Sequence, residues 1–123
     1  MQKLNYCFYK CINFMFIETM FNNCSSIEDM TGCFAEIENI RKIPNKLLTI
    51  SNCPNIKHLD GCFYNTMRQM DIGTFHSSDV PELWKIYTAS DITHEDCFTG
   101  CRVPNPNKVP EDWGKVESCI PTS

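Results

Sequence analysis

Cys24-Ser25-Ser26-Ile27-Glu28-Asp29-Met30-Thr31-Gly32-Cys33-Phe34 and Cys53-Pro54-Asn55-Ile56-Lys57-His58-Leu59-Asp60-Gly61-Cys62-Phe63 are two copies of one pattern. Cys, Ile, Met or Leu, Gly, Cys and Phe recur at an offset of 29 residues, while the residues between them differ. Side chains held at fixed spacing among varying neighbours mark the positions that a repeated unit buries. Self-similar units of this length bury those positions against one another in a stack with one continuous core.

Further copies lie on either side. Cys11, Phe14, Ile17, Met20 and Phe21 form a shifted partial copy, and Leu4, Cys7 and Phe8 a half copy at the start of the chain. Aligned on their phenylalanines, Phe8, Phe21, Phe34 and Phe63 follow Cys7, Met20, Cys33 and Cys62, with Leu4, Ile17, Met30 and Leu59 four residues before each ring. Cys97, Phe98 and Cys101 after Ile92 make a fifth, degraded unit. The first three units step by 13 residues and the later gaps are 29 and 35, so the early units read as short turns and the later gaps have room for strands. The four phenylalanines are expected in the core.

Between the units, Ile37, Ile40 and Ile43 place an apolar residue at every third position ahead of Pro44. Leu47, Leu48 and Ile50 predict a strand ending at Ser51-Asn52. Residues 70–75 alternate apolar and polar, which predicts a half-buried strand, and residues 76–79 read as a turn before Val80-Pro81. Residues 82–89 predict a short helix with Pro81 near its start, burying Leu83, Trp84 and Tyr87. Pro104, Pro106 and Pro110 lack amide donors and exclude a regular helix or a central strand beyond residue 103. The domain organisation expected is therefore a repeat stack over residues 1–101 and a Pro-rich C-terminal cap and tail over 102–123, anchored by Trp113, because a stack needs its open end covered. Leu4 and Phe8 already belong to the repeat, so the first turn is expected to need cover from a longer array, from a homo-oligomer or from a larger assembly.

Met67-Arg68-Gln69-Met70-Asp71-Ile72-Gly73-Thr74-Phe75-His76-Ser77-Ser78-Asp79-Val80 resembles the L-x-x-L-D-L-S-x-F-D-T-S-x-V stretch of BspA-like leucine-rich repeats. Met20-Phe21-Asn22-Asn23-Cys24-Ser25-Ser26-Ile27 is similar to their M-F-x-x-C-S-S-L stretch, and Gly32-Cys33-Phe34 and Gly61-Cys62-Phe63 to the G-M-F that begins it. The resemblance runs over roughly residues 4–101, with irregular spacing, few copies and residues 83–89 in place of one expected strand. It implies an α+β repeat fold: a short leucine-rich-repeat-like solenoid of irregular turns, short strands and short helices. It also implies adhesion or recognition, as in bacterial surface proteins, some protozoan proteins and phage proteins with such repeats. It implies no catalytic residues.

Composition sets the outer limits. With 123 residues, 42% hydrophobic and 21% charged, the chain fits one folded domain. A net charge of -4, with eleven scattered Lys and Arg and no pair denser than Arg41-Lys42, argues against a nucleic-acid groove. No stretch approaches the ~20 apolar residues of a membrane span. Lys10, Asn13 and Glu18 interrupt any secretory apolar region near the start. Nine cysteines, an odd number, fit reduced thiols in an intracellular or virion protein better than a closed disulfide framework, and localisation is otherwise unassigned.

The cysteines are the first candidates for chemistry. Cys7/Cys11 and Cys97/Cys101 are spaced CxxxC, and Cys24/Cys33 and Cys53/Cys62 lie nine apart, whereas zinc sites favour tight CxxC or Cys/His clusters. The repeat accounts for them as small buried residues at equivalent positions, with Cys119 outside it as a free thiol. His58, His76 and His94 share no local motif, and Glu36, Glu38, Asp91, Glu95 and Asp96 lack EF-hand spacing. No phosphate loop, HExxH or GxSxG is present. The chain is therefore expected to carry no catalytic, cofactor or metal residues. Trp84, Tyr87, His58 and His76 are the candidate binding surface, the aromatics only where exposed. The expected function is a non-enzymatic recognition module that binds a protein or glycan through the face of the stack, as a bacterial surface or phage structural component. The alternative is a small phage-encoded inhibitor that blocks a host protein such as a defence nuclease.

Overall fold

The computed structural model describes residues 2–11, 16–17, 19–37, 40, 43–68 and 79–118. The strand expected over residues 70–75, His76 and Cys119 lie outside the described residues.

Regular elements are short. β1 (Gln2–Lys3) pairs in parallel with β2 (Ile27–Asp29), and single parallel bridges carry the ladder from Asp29 to His58 and from His58 to Thr93. A run of turns follows each of these four points. There the backbone amides alternate between two acceptors. Leu4, Tyr6, Phe8 and Lys10 donate across to the carbonyls of Asp29, Thr31, Cys33 and Ala35, at 2.8–3.1 Å. Met30, Gly32, Phe34 and Glu36 donate in the same way to His58, Asp60, Cys62 and Tyr64, and Leu59, Gly61, Phe63 and Asn65 to Thr93, Glu95, Cys97 and Thr99. The amides between them turn back three residues: Cys7 to Leu4, Cys33 to Met30, Cys62 to Leu59 and Cys97 to His94. One set of bonds closes each turn and the other holds the turns side by side, which satisfies a backbone that could not otherwise be buried.

The turns are of the kind that needs a positive φ at the third residue. Gly32 and Gly61 supply it at +62° and +58° in equivalent positions, where Tyr6 (+54°) and Asp96 (+55°) stand in the first and last segments. A tyrosine there is disfavoured by roughly 1–2 kcal/mol, which the surrounding bonds must offset.

The aligned phenylalanines form the spine of the core. Phe8, Phe34, Phe63 and Phe98 stack with centroids 5.3, 5.4 and 5.5 Å apart and planes within 10° of parallel, and Trp113 continues the column 6.3 Å beyond Phe98. Phe34, Phe63 and Phe98 are fully buried. Met30, Leu59, Ile27, Ile56 and the thiols of Cys33, Cys62 and Cys97 pack around them.

Three sequence expectations change at this level. Phe21 is buried but sits outside the column, 6.0 Å from Phe34 and tilted by 71°, so two 13-residue steps make up one turn of the stack. Ile17, aligned with Met30 and Leu59, is 60% exposed for the same reason. Leu47 and Leu48 are both buried and Ile50 is 55% exposed, and these residues join no strand. The segment is a turn, with the Leu47 amide bonded to the Pro44 carbonyl. The expected helix is shorter than residues 82–89: α1 spans Leu83–Ile86, and Tyr87 ends it with its amide on the Leu83 carbonyl.

The segment after residue 101 folds back over the last turn. β3 (Arg102–Val103) pairs in parallel with β4 (Glu117–Ser118), and two one-turn 3-10 helices, Pro106–Lys108 and Glu111–Trp113, lie between them. Phe98 and Gly100 donate to the carbonyls of Trp113 and Lys115, which continues the cross-segment ladder by one more step. Trp113 is 4% exposed.

Candidate functional site

The ladder fixes which residues share a face. Residues that directly follow the stacked phenylalanines (Tyr9, Ala35, Tyr64, Thr99) form one column, and those two before them (Tyr6, Gly32, Gly61, Asp96) form the next. A groove of about 360 Å³ runs between these columns, lined by Tyr6, Tyr9 and Tyr64 with Glu36, Asp60, Glu95 and Asp96 around it. The three tyrosines are 57%, 40% and 38% exposed. Tyr6 can lie against the turn of the second segment only because residue 32 is glycine: a Cβ there would come within 2.3 Å of the ring.

Tyr6 and Tyr9 meet edge to face, 5.6 Å apart at 88°. The Tyr9 hydroxyl donates to Glu36 at 2.5 Å, and Lys10 places its ammonium 5.3 Å from the centre of the Tyr9 ring. The hydrogen bond to the Glu36 carboxylate holds the Tyr9 phenol above its ordinary pKa, since ionising it would set two anions together.

A polar chain borders the groove. Thr93 Oγ1 donates to Asp60 at 2.7 Å and lies 2.8 Å from His58 Nδ1, while the Glu95 amide donates to the other Asp60 oxygen at 2.8 Å. A hydroxyl has one hydrogen, so with that hydrogen on Asp60, His58 Nδ1 is the donor to Thr93. On the adjoining segment, burial pushes the Asp29 carboxyl up, but bonds from Thr31 and Asn5 and the nearby His58 outweigh it and hold the carboxyl below its usual range. His58 therefore ties two segments together rather than standing free.

The remaining residues predicted from sequence fall elsewhere. Trp84 is half-buried, edge-on to Phe98 and Trp113, and borders a separate cavity of about 440 Å³ with Val80, Ile86 and Val109. Tyr87 is 3% exposed and its hydroxyl donates to the Cys53 carbonyl at 3.0 Å, so it is a core residue and not part of any binding surface. His94 takes the position that Leu4, Met30 and Leu59 hold in the other segments, and its ring lies flat on Trp113 at 4.1 Å. The tyrosine groove was not among the sequence candidates. Its signal was positional: tyrosine directly follows the core phenylalanine in Phe8-Tyr9 and Phe63-Tyr64.

The eight cysteines among the described residues are free thiols. Burial, reinforced by neighbouring thiols, pushes Cys33 up to about 12 and Cys53 up to about 11; burial pushes Cys101 to about 12, and Cys62 and Cys97 rise well above the ordinary value. At neutral pH these five remain protonated and unreactive. Among the described residues no group of three or more His, Cys, Asp and Glu is arranged to hold a metal ion, and no helix is long and apolar enough to cross a membrane. No family model matches the chain, and no curated protein and no solved structure matches it.

Proposed function

We propose that the chain is a non-enzymatic recognition module of the BspA-like type, a short leucine-rich-repeat-like solenoid that binds a protein or glycan through the face of its stack. A bacterial surface or a phage particle is the setting this reading favours. One observation carries it: the first and third segments bring three exposed tyrosines to a single groove. Tyrosine offers a large, stiff contact surface with a hydrogen-bonding tip, so exposed tyrosines gathered in a concavity favour ligand recognition over a solvated face. The cysteines, protonated and packed around the ring column, support a structural role for the thiols.

The test is binding by the immobilised chain to arrays of glycans and purified proteins. The expected result is saturable binding to at least one ligand, lost in a Tyr9→Ser/Tyr64→Ser double variant whose melting temperature is unchanged. Binding that survives the double substitution, or steady turnover of a ligand, overturns the reading.

A further inference from the structure

We propose that the groove between Tyr6/Tyr9 and Tyr64 receives a cationic side chain, arginine or lysine, carried on an extended segment of a partner protein. The inference rests on the recognition reading above and names its ligand.

The shape comes first. Tyr6 and Tyr9 stand at 88° to one another and form a corner of two aromatic surfaces. Tyr64 follows the same column two segments along, roughly 9–10 Å away at the usual spacing of paired strands. Of the intervening positions, Gly32 is covered by the Tyr6 ring, while Ala35 adds no bulk between Tyr9 and Tyr64. Such a gap accepts a planar guanidinium or an ammonium lying against ring faces, the arrangement in which aromatic rings attract cations.

The folded chain already sets a cation against one of these rings. Lys10 holds its ammonium 5.3 Å from the Tyr9 ring centre while the hydroxyl of that ring is bonded to Glu36. The ring and its carboxylate are thus complementary to an ammonium group in the folded chain itself.

Charge then selects among ligands. Glu36, Asp60, Glu95 and Asp96 border the groove, and among the described residues no Lys or Arg lines it. An anionic ligand meets repulsion. A neutral ligand gains hydrogen bonds but no charge attraction from Glu95, which is exposed beside the groove. In an extended segment, alternate residues face the same side about 6.6–6.8 Å apart, so basic residues at every second position can reach carboxylates on successive segments of the stack.

The experiment uses the intact chain and a fluorescein-labelled decapeptide of alternating Arg and Ser, with Gln-Ser and Glu-Ser decapeptides as controls, read by anisotropy at roughly 50 and 200 mM salt. The expected result is saturable binding of the Arg-Ser peptide, about tenfold tighter than the Gln-Ser peptide and weaker at the higher salt. Tyr64→Ser and Glu95→Gln should each weaken it severalfold at an unchanged melting temperature, both positions being exposed. No saturable binding up to about 1 mM, equal binding of the Gln-Ser peptide, or an unchanged affinity in Tyr64→Ser overturns the inference. Chitohexaose and cellohexaose separate the two levels of the argument. If a neutral sugar binds and Tyr64→Ser abolishes it, the cationic ligand is wrong and the recognition face stands. If the tyrosine substitutions change no binding of any kind, both fall.

Discussion

Replacing the central ring of the column is the sharpest test of how this chain is held together. Phe34 is fully buried, with Phe8 and Phe63 stacked on it at 5.3 and 5.4 Å and Phe21 against its edge at 6.0 Å. Phe34→Ala removes a whole ring from a site held by ladder bonds on two sides and lined by Phe16 at 4.9 Å, so the cost belongs within the usual ~3–5 kcal/mol range. Two stacked partners lose about 0.5–1.5 kcal/mol each of orientation-dependent attraction within that figure. Phe8 is half-buried, so Phe8→Ala should cost only about 2 kcal/mol. Equilibrium urea titration measures both: at a typical slope of about 1–3 kcal/mol per molar, the two midpoints should separate by roughly 1–2 M. If Phe34→Ala does not fold, Phe34→Leu keeps most of the apolar volume while removing the stacking, and its cost of about 1–2 kcal/mol serves the same comparison. A loss below ~1 kcal/mol at Phe34, or equal losses at Phe34 and Phe8, would refute a load carried by the ring column.

The other expectations are independent of the rings. Gly114→Ala should destabilise far more than Gly61→Ala, because a Cβ at 114 meets the Thr99 amide nitrogen at 2.6 Å while one at 61 meets only the Tyr64 Cβ at 3.7 Å; equal melting temperatures for the two variants would count against the tight seat of the cap. N-ethylmaleimide at neutral pH should modify the exposed Cys7 quickly and leave Cys33, Cys53, Cys62, Cys97 and Cys101 unmodified until urea is added, with peptide mass mapping as the readout. The same five thiols hold their protons in the folded state above the pH at which the unfolded chain loses them. Stability should therefore be intact below about pH 8.5 and decline as the pH rises toward 11 and 12, the values for Cys53 and Cys33, and a flat profile over that window would contradict it. Asp29 works in the opposite direction. Its depressed carboxyl contributes stability that is present above about pH 3.9 and lost as the pH falls below it, and Asp29→Asn should flatten that acid limb in a melting series.

The sequence exposed the parts of the fold that must repeat and concealed the parts free to vary. Phe34 and Phe63 could be matched because each ring must meet the next in one column, and Cys33 and Cys62 because only a small side chain fits beside the rings. Spacing alone could not show on which side of the turn a residue lies. Phe8, Phe21 and Phe34 are evenly spaced by 13, yet Phe21 approaches Phe34 from its edge, so one of the apparent units belongs to the return leg of a single turn. Leu47 and Leu48 illustrate the same limit: the composition of a strand is there, but the segment is a turn closed from Leu47 to Pro44. The groove was invisible to a search for repetition because its wall residues occupy the varying positions. Tyr9 and Tyr64 are separated by Ala35 in the same column, and that interruption leaves room between the rings.

Part of the cysteine content follows from the same geometry. Cys11, Ile37, Thr66 and Cys101 are equivalent, each three residues after a stacked phenylalanine. The Thr66 hydroxyl donates to the Phe34 carbonyl, and the Cys101 thiol donates to the Phe63 carbonyl at 3.1 Å, the corresponding atom one segment along. Cys53 makes a similar, longer approach to the Phe21 carbonyl at 3.6 Å. A threonine and a cysteine thus perform one task, which is to cap an inward-facing carbonyl with a small donor that leaves the rings in contact. Thiols do this with little polar cost: a weak donor can be buried beside a phenyl ring, as full burial of Cys62 and Cys97 requires, where a hydroxyl lacking its partner would destabilise the core. For the buried cysteines of this chain the thiol is therefore a packing solution to closely spaced turns.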